Sequence, residues 1–454
     1  MSRYDLIIRG GSIVVPSGVQ RADIGVIDGK IAEIAPDLEG SHGEELRAVG
    51  LHIFPGVVDA HLHFNEPGRT EWEGFATGSR ALAAGGGTTF FDMPLNAHPP
   101  TLDASSFRAK LSAAEASSFV DFGLWGGLVP GNKGSMEELA ELGVVGFKAF
   151  MSNSGIDDFR AVDDLTLYEG MVEAARLGCL VAVHAESEPI TSLLARRALH
   201  DGRTTARDFA ASRPVIAELE AIERAILFAE EAGCALHIVH VSSGRGVALV
   251  ARARMRGVDV SCETCPHYLV LTEDDMEEIG AIAKCAPPLR PREEQDALWQ
   301  HILEGTLPMV VSDHSPSPPD MKAGVDYFRA WGGISGCQSL LALLLTEGYT
   351  RRQIPLSLIA SLIAGFTSRR FGIDKQKGAL EVGPDADIAM VDLNAKAVLT
   401  SDDLLYRHKQ SPYVGMTMQG RVVRTIVRGM TIFAYGRAPS EPVGQLVRPD
   451  RTIK

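Results

Sequence analysis

Two histidines two residues apart, His61 and His63, close an apolar run that begins at Val57. On a strand, residues i and i+2 share a face, so both imidazoles reach one ion. A lone histidine at a strand end is more often a hydrogen-bonded core residue. The pair tips the balance toward a metal.

Comparable residues close other apolar runs. Lys148 sits in Val144-Val145-Gly146-Phe147-Lys148-Ala149-Phe150, where an unpaired ammonium is costly to bury. Taken alone it reads as a salt-bridged or snorkelling lysine. The functional alternative is a desolvated amine of lowered pKa, able to add carbon dioxide and offer a carbamate with two oxygens. His184 ends Val181–His184, His240 ends His237–His240, and Asp313 follows Met309–Ser312. His237 and His240 have opposite strand parity; His240 is the better ligand candidate and His237 is expected on the other face. A carboxylate at Asp313 can ligate metal and accept a proton, with His314 a supporting residue.

Other signals are weaker. Cys262-Glu263-Thr264-Cys265 lacks a second ligand pair at zinc-finger spacing, so inert thiols are expected. Gly85-Gly86-Gly87 has no Lys-Ser/Thr sequel and reads as a helix stop. Arg252, Arg254 and Arg256 read as a solvated helix face. There is no G-x-S-x-G elbow to supply a serine nucleophile.

Strand-like runs ending near His63, Pro94, Val129, Phe150, Ala185, Ser242, Pro266 and Asp313 must position these groups. Helical stretches such as Glu71–Ala84, Ser135–Leu142, Leu165–Leu177 and Val215–Ala232 separate them. Strand–helix alternation of this kind predicts an α/β fold, a (β/α)8 barrel over residues 54–371, with chemistry at the C-terminal strand ends. The long connections 188–231 and 271–306 are expected to carry extra helices. Residues 1–53 and 372–454 read as short strands with turns at Gly10-Gly11, Ser17-Gly18, Asp28-Gly29, Gly383-Pro384 and Arg428-Gly429. They are expected to form one small β-sandwich domain from both termini.

The chain has 454 residues, with 44 Lys and Arg against 58 Asp and Glu, a formal charge of −14. That balance argues against a nucleic-acid partner, which needs clustered cations, and gives no support to an anionic membrane surface. No secretory leader or 20-residue apolar span is evident, and the six cysteines lie in apolar segments. A cytoplasmic protein with reduced thiols is expected.

Together, His-x-His after the first strand, lysine on the fourth, histidines on the fifth and sixth and aspartate on the eighth resemble the cyclic amidohydrolases. That group includes dihydroorotases, hydantoinases (dihydropyrimidinases) and allantoinases, and the likeness spans essentially the whole chain. It looks most like the allantoinase branch through residues 59–74, Val145–Phe150, Cys262–Tyr268 and Val311–Pro316. Dihydroorotases carry arginine where Asn65 stands, and hydantoinases carry tyrosine where Asn153 stands. One departure is Ala286, where the resemblance leads one to expect serine.

The resemblance implies two divalent ions per subunit, zinc first, with cobalt, manganese or iron also compatible. It implies that His61, His63 and Asp313 hold one, His184 and His240 the other, and that N6-carboxylated Lys148 bridges them. A hydroxide between them would open the ring amide of allantoin to give allantoate, with Asp313 as catalytic proton carrier. Substrate contacts are expected from Asn65, Asn153, Ala286, Ser315, Gly332 and Gly333, and a homotetramer is implied. The rival readings are a hydantoinase or dihydropyrimidinase, a non-enzymatic assembly protein on the same fold, and a Schiff-base enzyme using Lys148.

Overall fold

The computed structural model describes residues 3–324, 326–437 and 441–451; positions 1–2 and 452–454, the ends of the two terminal segments, lie outside the described residues. In the middle of the chain, Val57–Leu62, Gly87–Asp92 and Asp121–Leu124 pair in parallel in that order. Gly126–Gly127, Phe147–Phe150, Val181–His184, Leu236–Ile238 and Val260–Cys262 continue the series, also parallel. Asp121–Leu124 and Gly126–Gly127 are one strand interrupted at Trp125, whose indole N–H donates to the Ala60 carbonyl at 3.0 Å.

The eighth strand is reduced to single-residue pairings, Thr264 with Val310 and Leu62 with His314. The His63 amide donates to the His314 carbonyl at 2.8 Å, which closes the ring. The result is the (β/α)8 barrel that the alternation predicts.

The helices follow from their apolar faces and ends. Val215–Ala232 buries Ala217, Ala221, Ile222, Ala225, Ile226 and Ala229, and the small alanines let it lie close to the strands. It stops at Gly233, whose φ of 62° closes the C-terminus in a left-handed conformation. The first barrel helix starts at Phe75 rather than Glu71, because Gly74 before it has φ 86°. The two long connections carry the additional helices Glu188–His200, Ala206–Ser212 and Glu273–Ile279.

Both termini contribute to a single eight-stranded sheet. Its joint is the antiparallel pairing of His52–Pro55 with Ile388–Val398. Leu6, Ile8, Ile24, Val26, Ile53, Ile388, Met390 and Ile426 form one apolar layer inside it, as a small sandwich requires. Asp28-Gly29 and Arg428-Gly429 are tight turns with positive φ at both residues. Gly10-Gly11, expected as a turn, is instead a bulge within the continuous strand Arg3–Val15. Ser41–Arg47 is a strand with no counterpart in the sequence reading, since its polar residues show no alternation.

Candidate active site

His61, His63, His184, His240 and Asp313 converge at the C-terminal mouth of the barrel, where all five line one cavity of about 360 Å³. His61 Nε2 lies 3.3 Å and His63 Nε2 3.6 Å from Asp313 Oδ1. His184 Nδ1 and His240 Nε2 face each other at 3.0 Å. The two subsets adjoin: the His61 and His240 ring centroids are 5.3 Å apart. Lys148, fully buried, reaches the same nest from the fourth strand, its Nζ 5.1 Å from the Phe150 ring.

Carboxylates outside this set fix the rings. Glu263 Oε1 lies 2.5 Å from His61 Nδ1, and its Oε2 lies 2.9 Å from His237 Nε2. Glu186 Oε2 lies 2.8 Å from His184 Nε2 and pairs with Arg213. An Nδ1–H of His61 donating to Glu263 leaves the Nε2 lone pair aimed at Asp313 and His63. An Nε2–H of His184 donating to Glu186 leaves Nδ1 aimed at His240. Phe150 stacks on the His184 ring at 4.6 Å and limits its rotation.

Two of these groups reach the nest through unusual backbone. His240 and Asp313 have φ of 38° and 44°, a left-handed conformation that non-glycine residues seldom adopt. The sixth strand ends at Ile238, so His240 has left the ladder and strand parity no longer governs it. His237 consequently does not lie on the other face as expected. It points into the barrel, bonds Ser261 Oγ at 2.7 Å and Glu263, and packs on Phe371. His314 does support its neighbours, accepting from the Gly336 amide at 3.1 Å.

Of the expected substrate residues, Asn153, Ala286, Ser315, Gly332 and Gly333 line the cavity. Asn65 does not; it is buried behind the wall with its amide toward the Pro316 carbonyl at 3.4 Å. Phe150, Arg213, Lys284 and Trp331, absent from the sequence-based set, do line it. The chemistry of the Cys262–Cys265 segment rests on Glu263. All six thiols are buried and free, and burial holds Cys262 up at about 12 and Cys265 well above the usual thiol range. Cys265 and His267 also lie with Asp313 in a second group of possible donors.

The family model for the amidohydrolases matches residues 52–432. The chain belongs to the amidohydrolase family. An allantoinase of Rubrobacter xylanophilus is 64% identical over 99% of both chains, and one of Deinococcus radiodurans is 52% identical over 98% of this chain and 99% of its own. Among solved structures, the L-hydantoinase (dihydropyrimidinase) of Arthrobacter aurescens superposes with a TM-score of 0.96 at 36% identity, over 98% of this chain and 100% of its own.

Amidohydrolases of this type are metal-dependent, and the nest fits cations. Burial, with Lys148 adding to it, lowers His61 well below the imidazole range, and burial likewise lowers His240, so each neutral ring keeps a lone pair on one nitrogen. Burial drives Glu263 well up and Asp59 to about 7. Burial is the leading cause of both shifts, as expected where ionisable groups are packed together out of water. Lys148 Nζ, His63 Nδ1 and His240 Nδ1 have no hydrogen-bond partner among the described residues. Among the described residues, no helix is long and apolar enough to cross a membrane.

Proposed function

We propose that this amidohydrolase hydrolyses the ring amide of allantoin to allantoate. The observation that carries this reading is 64% identity to an allantoinase over 99% of both chains, joined to the convergence of all six candidate ligands. His61, His63 and Asp313 would hold one divalent ion, and His184 and His240 a second. Divalent cations there supply Lewis acidity at the ring carbonyl and lower the pKa of water. The nitrogen and oxygen donors accommodate zinc, cobalt, manganese or iron, and the family resemblance puts zinc first.

Lys148 would bridge the two as a carbamate. Burial brings its amine down to about 7, so much of it is unprotonated near neutral pH. The amine lone pair adds to carbon dioxide, an N–C bond forms and one proton leaves. Asp313 faces both the ligands and the cavity. Its carboxylate takes the proton released as water adds to the ring carbonyl carbon and returns it to the ring nitrogen as the C–N bond breaks. Atoms balance as one water consumed per ring opened.

Five of the expected substrate residues line the same cavity as the ligands, which supports their role in holding the ring. A homotetramer in the cytoplasm completes the proposal, checked by light scattering and cell fractionation. The decisive experiment is a side-by-side assay of the metal-loaded protein on allantoin, hydantoin, dihydrouracil and dihydroorotate. Allantoin is expected to give the highest kcat/KM; dominance of dihydrouracil or hydantoin turnover would overturn the assignment in favour of the hydantoinase reading.

A further inference from the structure

Six consecutive residues, 328–333, line one side of the cavity, and they belong to no helix or strand. Something other than a ladder must hold their backbone. Lys284, which itself reaches the cavity, and Lys322 lie against them, 5% and 8% exposed, and neither forms an ion pair among the described residues.

Lys284 Nζ donates to the carbonyls of Phe328 at 3.2 Å and Ala330 at 2.5 Å. Lys322 Nζ donates to those of Trp331 at 3.0 Å, Gly333 at 2.8 Å and Ala281 at 3.0 Å. Four of these five acceptors belong to the wall. The wall also bonds back to the segments bearing the lysines: Gly333 N–H donates to Lys284 O at 2.8 Å and Trp331 N–H to Met321 O at 2.9 Å.

An ammonium buried without a carboxylate is costly, and the amines register it. Burial, with Arg213 and Lys322 adding like charge, brings Lys284 to about 7, and burial brings Lys322 to about 8. A core position that only needed filling would be served by an apolar side chain at less cost. What the ammonium groups provide instead is donors that gather several carbonyls at one point, which an apolar side chain lacks.

We propose that Lys284 and Lys322 are positioning residues for the substrate: their ammonium groups fix the backbone of residues 328–333 as one wall of the cavity. They set substrate affinity without touching the reacting atoms. The inference rests on the cavity being the substrate site.

Lys322→Met and Lys284→Met, made in the full-length metal-loaded protein, test it with three readouts. KM for allantoin should rise about tenfold while kcat stays within about threefold, the pattern of lost uniform binding. Metal content should be unchanged. Amide hydrogen exchange across 328–333 should quicken about tenfold or more, as the clamp no longer protects Trp331 and Gly333. Lys322→Arg, which keeps the charge, should recover part of the KM.

Unchanged exchange in this segment, unchanged KM in a folded variant, or metal loss in place of a KM effect would each overturn the proposal. Lys377→Met is the control. That lysine is buried against Asp121, Asp385 and Asp387, away from the cavity, so its loss should cost stability and leave KM alone. An equal rise of KM there would make the effect general and sink the inference. If Lys322→Met does not fold, Lys284→Met decides by the exchange readout, because the Lys284 side chain also lines the cavity. If the unaltered protein does not turn over allantoin, the substrate assignment fails, and the exchange measurement still decides the clamp.

Discussion

Two kinds of construction line one cavity. On the ligand side, His61, Lys148 and His184 lie on strands whose parallel pairing fixes the backbone, and Glu263 and Glu186 turn the imidazoles. On the other side, residues 328–333 have no ladder, and their carbonyls are gathered by Lys284 and Lys322. In the first, carboxylates aim side chains; in the second, ammonium groups aim backbone. The difference teaches that two separate devices shape this cavity; under the proposed function one would serve reaction and the other recognition, so damage to one should leave the other measurable.

The largest effect should come from the ligand side. Lys148→Ala removes the only amine placed to bridge the two ligand subsets among the described residues. Bound metal should fall below two per chain and kcat/KM should drop about 10³-fold or more. Elemental analysis with steady-state assays checks this. Two bound ions with near-normal turnover would show that the lysine does not bridge, and the contrast would lose its first term.

A smaller, selective effect is expected one layer out. Glu263→Gln keeps the shape but places an N–H against either His61 or His237, where each ring nitrogen now meets a carboxyl oxygen. Affinity at the His61–His63–Asp313 subset should fall about 10–100-fold, the usual consequence of losing an outer partner of a metal-binding histidine. The His184–His240 subset, oriented by Glu186, should be spared. Competition with a graded chelator would resolve two affinities in the variant. Equal weakening of both would mean the carboxylate acts on the whole nest.

Much of the ligand side is legible in the sequence because strand geometry is local. An apolar run ending in His or Asp states both that a strand is present and which end carries chemistry; His184 follows from that alone, whereas Lys148, which by itself reads as a salt-bridged or snorkelling lysine, gains its role only from the resemblance. The rule fails where the backbone departs from the ladder. The left-handed φ of His240 reverses the parity argument, which is why His237, expected outside, faces inward. Glu263 obeys the rule but stands between two cysteines, where the thiols draw the eye. The wall is illegible for a different reason. The contacts of Lys284 with Phe328 and Ala330 span more than forty residues and run to carbonyls, which every residue has, so no side-chain type signals them. Asn65 shows the converse: its place two residues after His63 suggests the cavity, yet its φ of 64° turns it toward Pro316.

The smallest predicted effects test whether the wall is as fixed as the clamp implies. Gly332 and Gly333 are adjacent and both line the cavity, but they differ in what a methyl group would meet. At Gly333, with φ 146°, an added Cβ would come within 2.4 Å of the Ser315 carbonyl oxygen. At Gly332 the nearest atom is Lys284 Cε at 4.0 Å. A wall free to shift would relieve the clash with Ser315 and leave only the backbone strain of an alanine at φ 146°. A clamped one keeps the clash as well, because Gly333 is held at its N–H by Lys284 O and at its carbonyl by Lys322 Nζ. Gly333→Ala should therefore cost about 1–3 kcal/mol and raise KM, while Gly332→Ala should stay within about 0.5 kcal/mol. Denaturant melts and steady-state kinetics on the pair read both quantities. Combining Gly333→Ala with Lys322→Met should cost less than the sum of the two, since the freed wall can then yield to the methyl group.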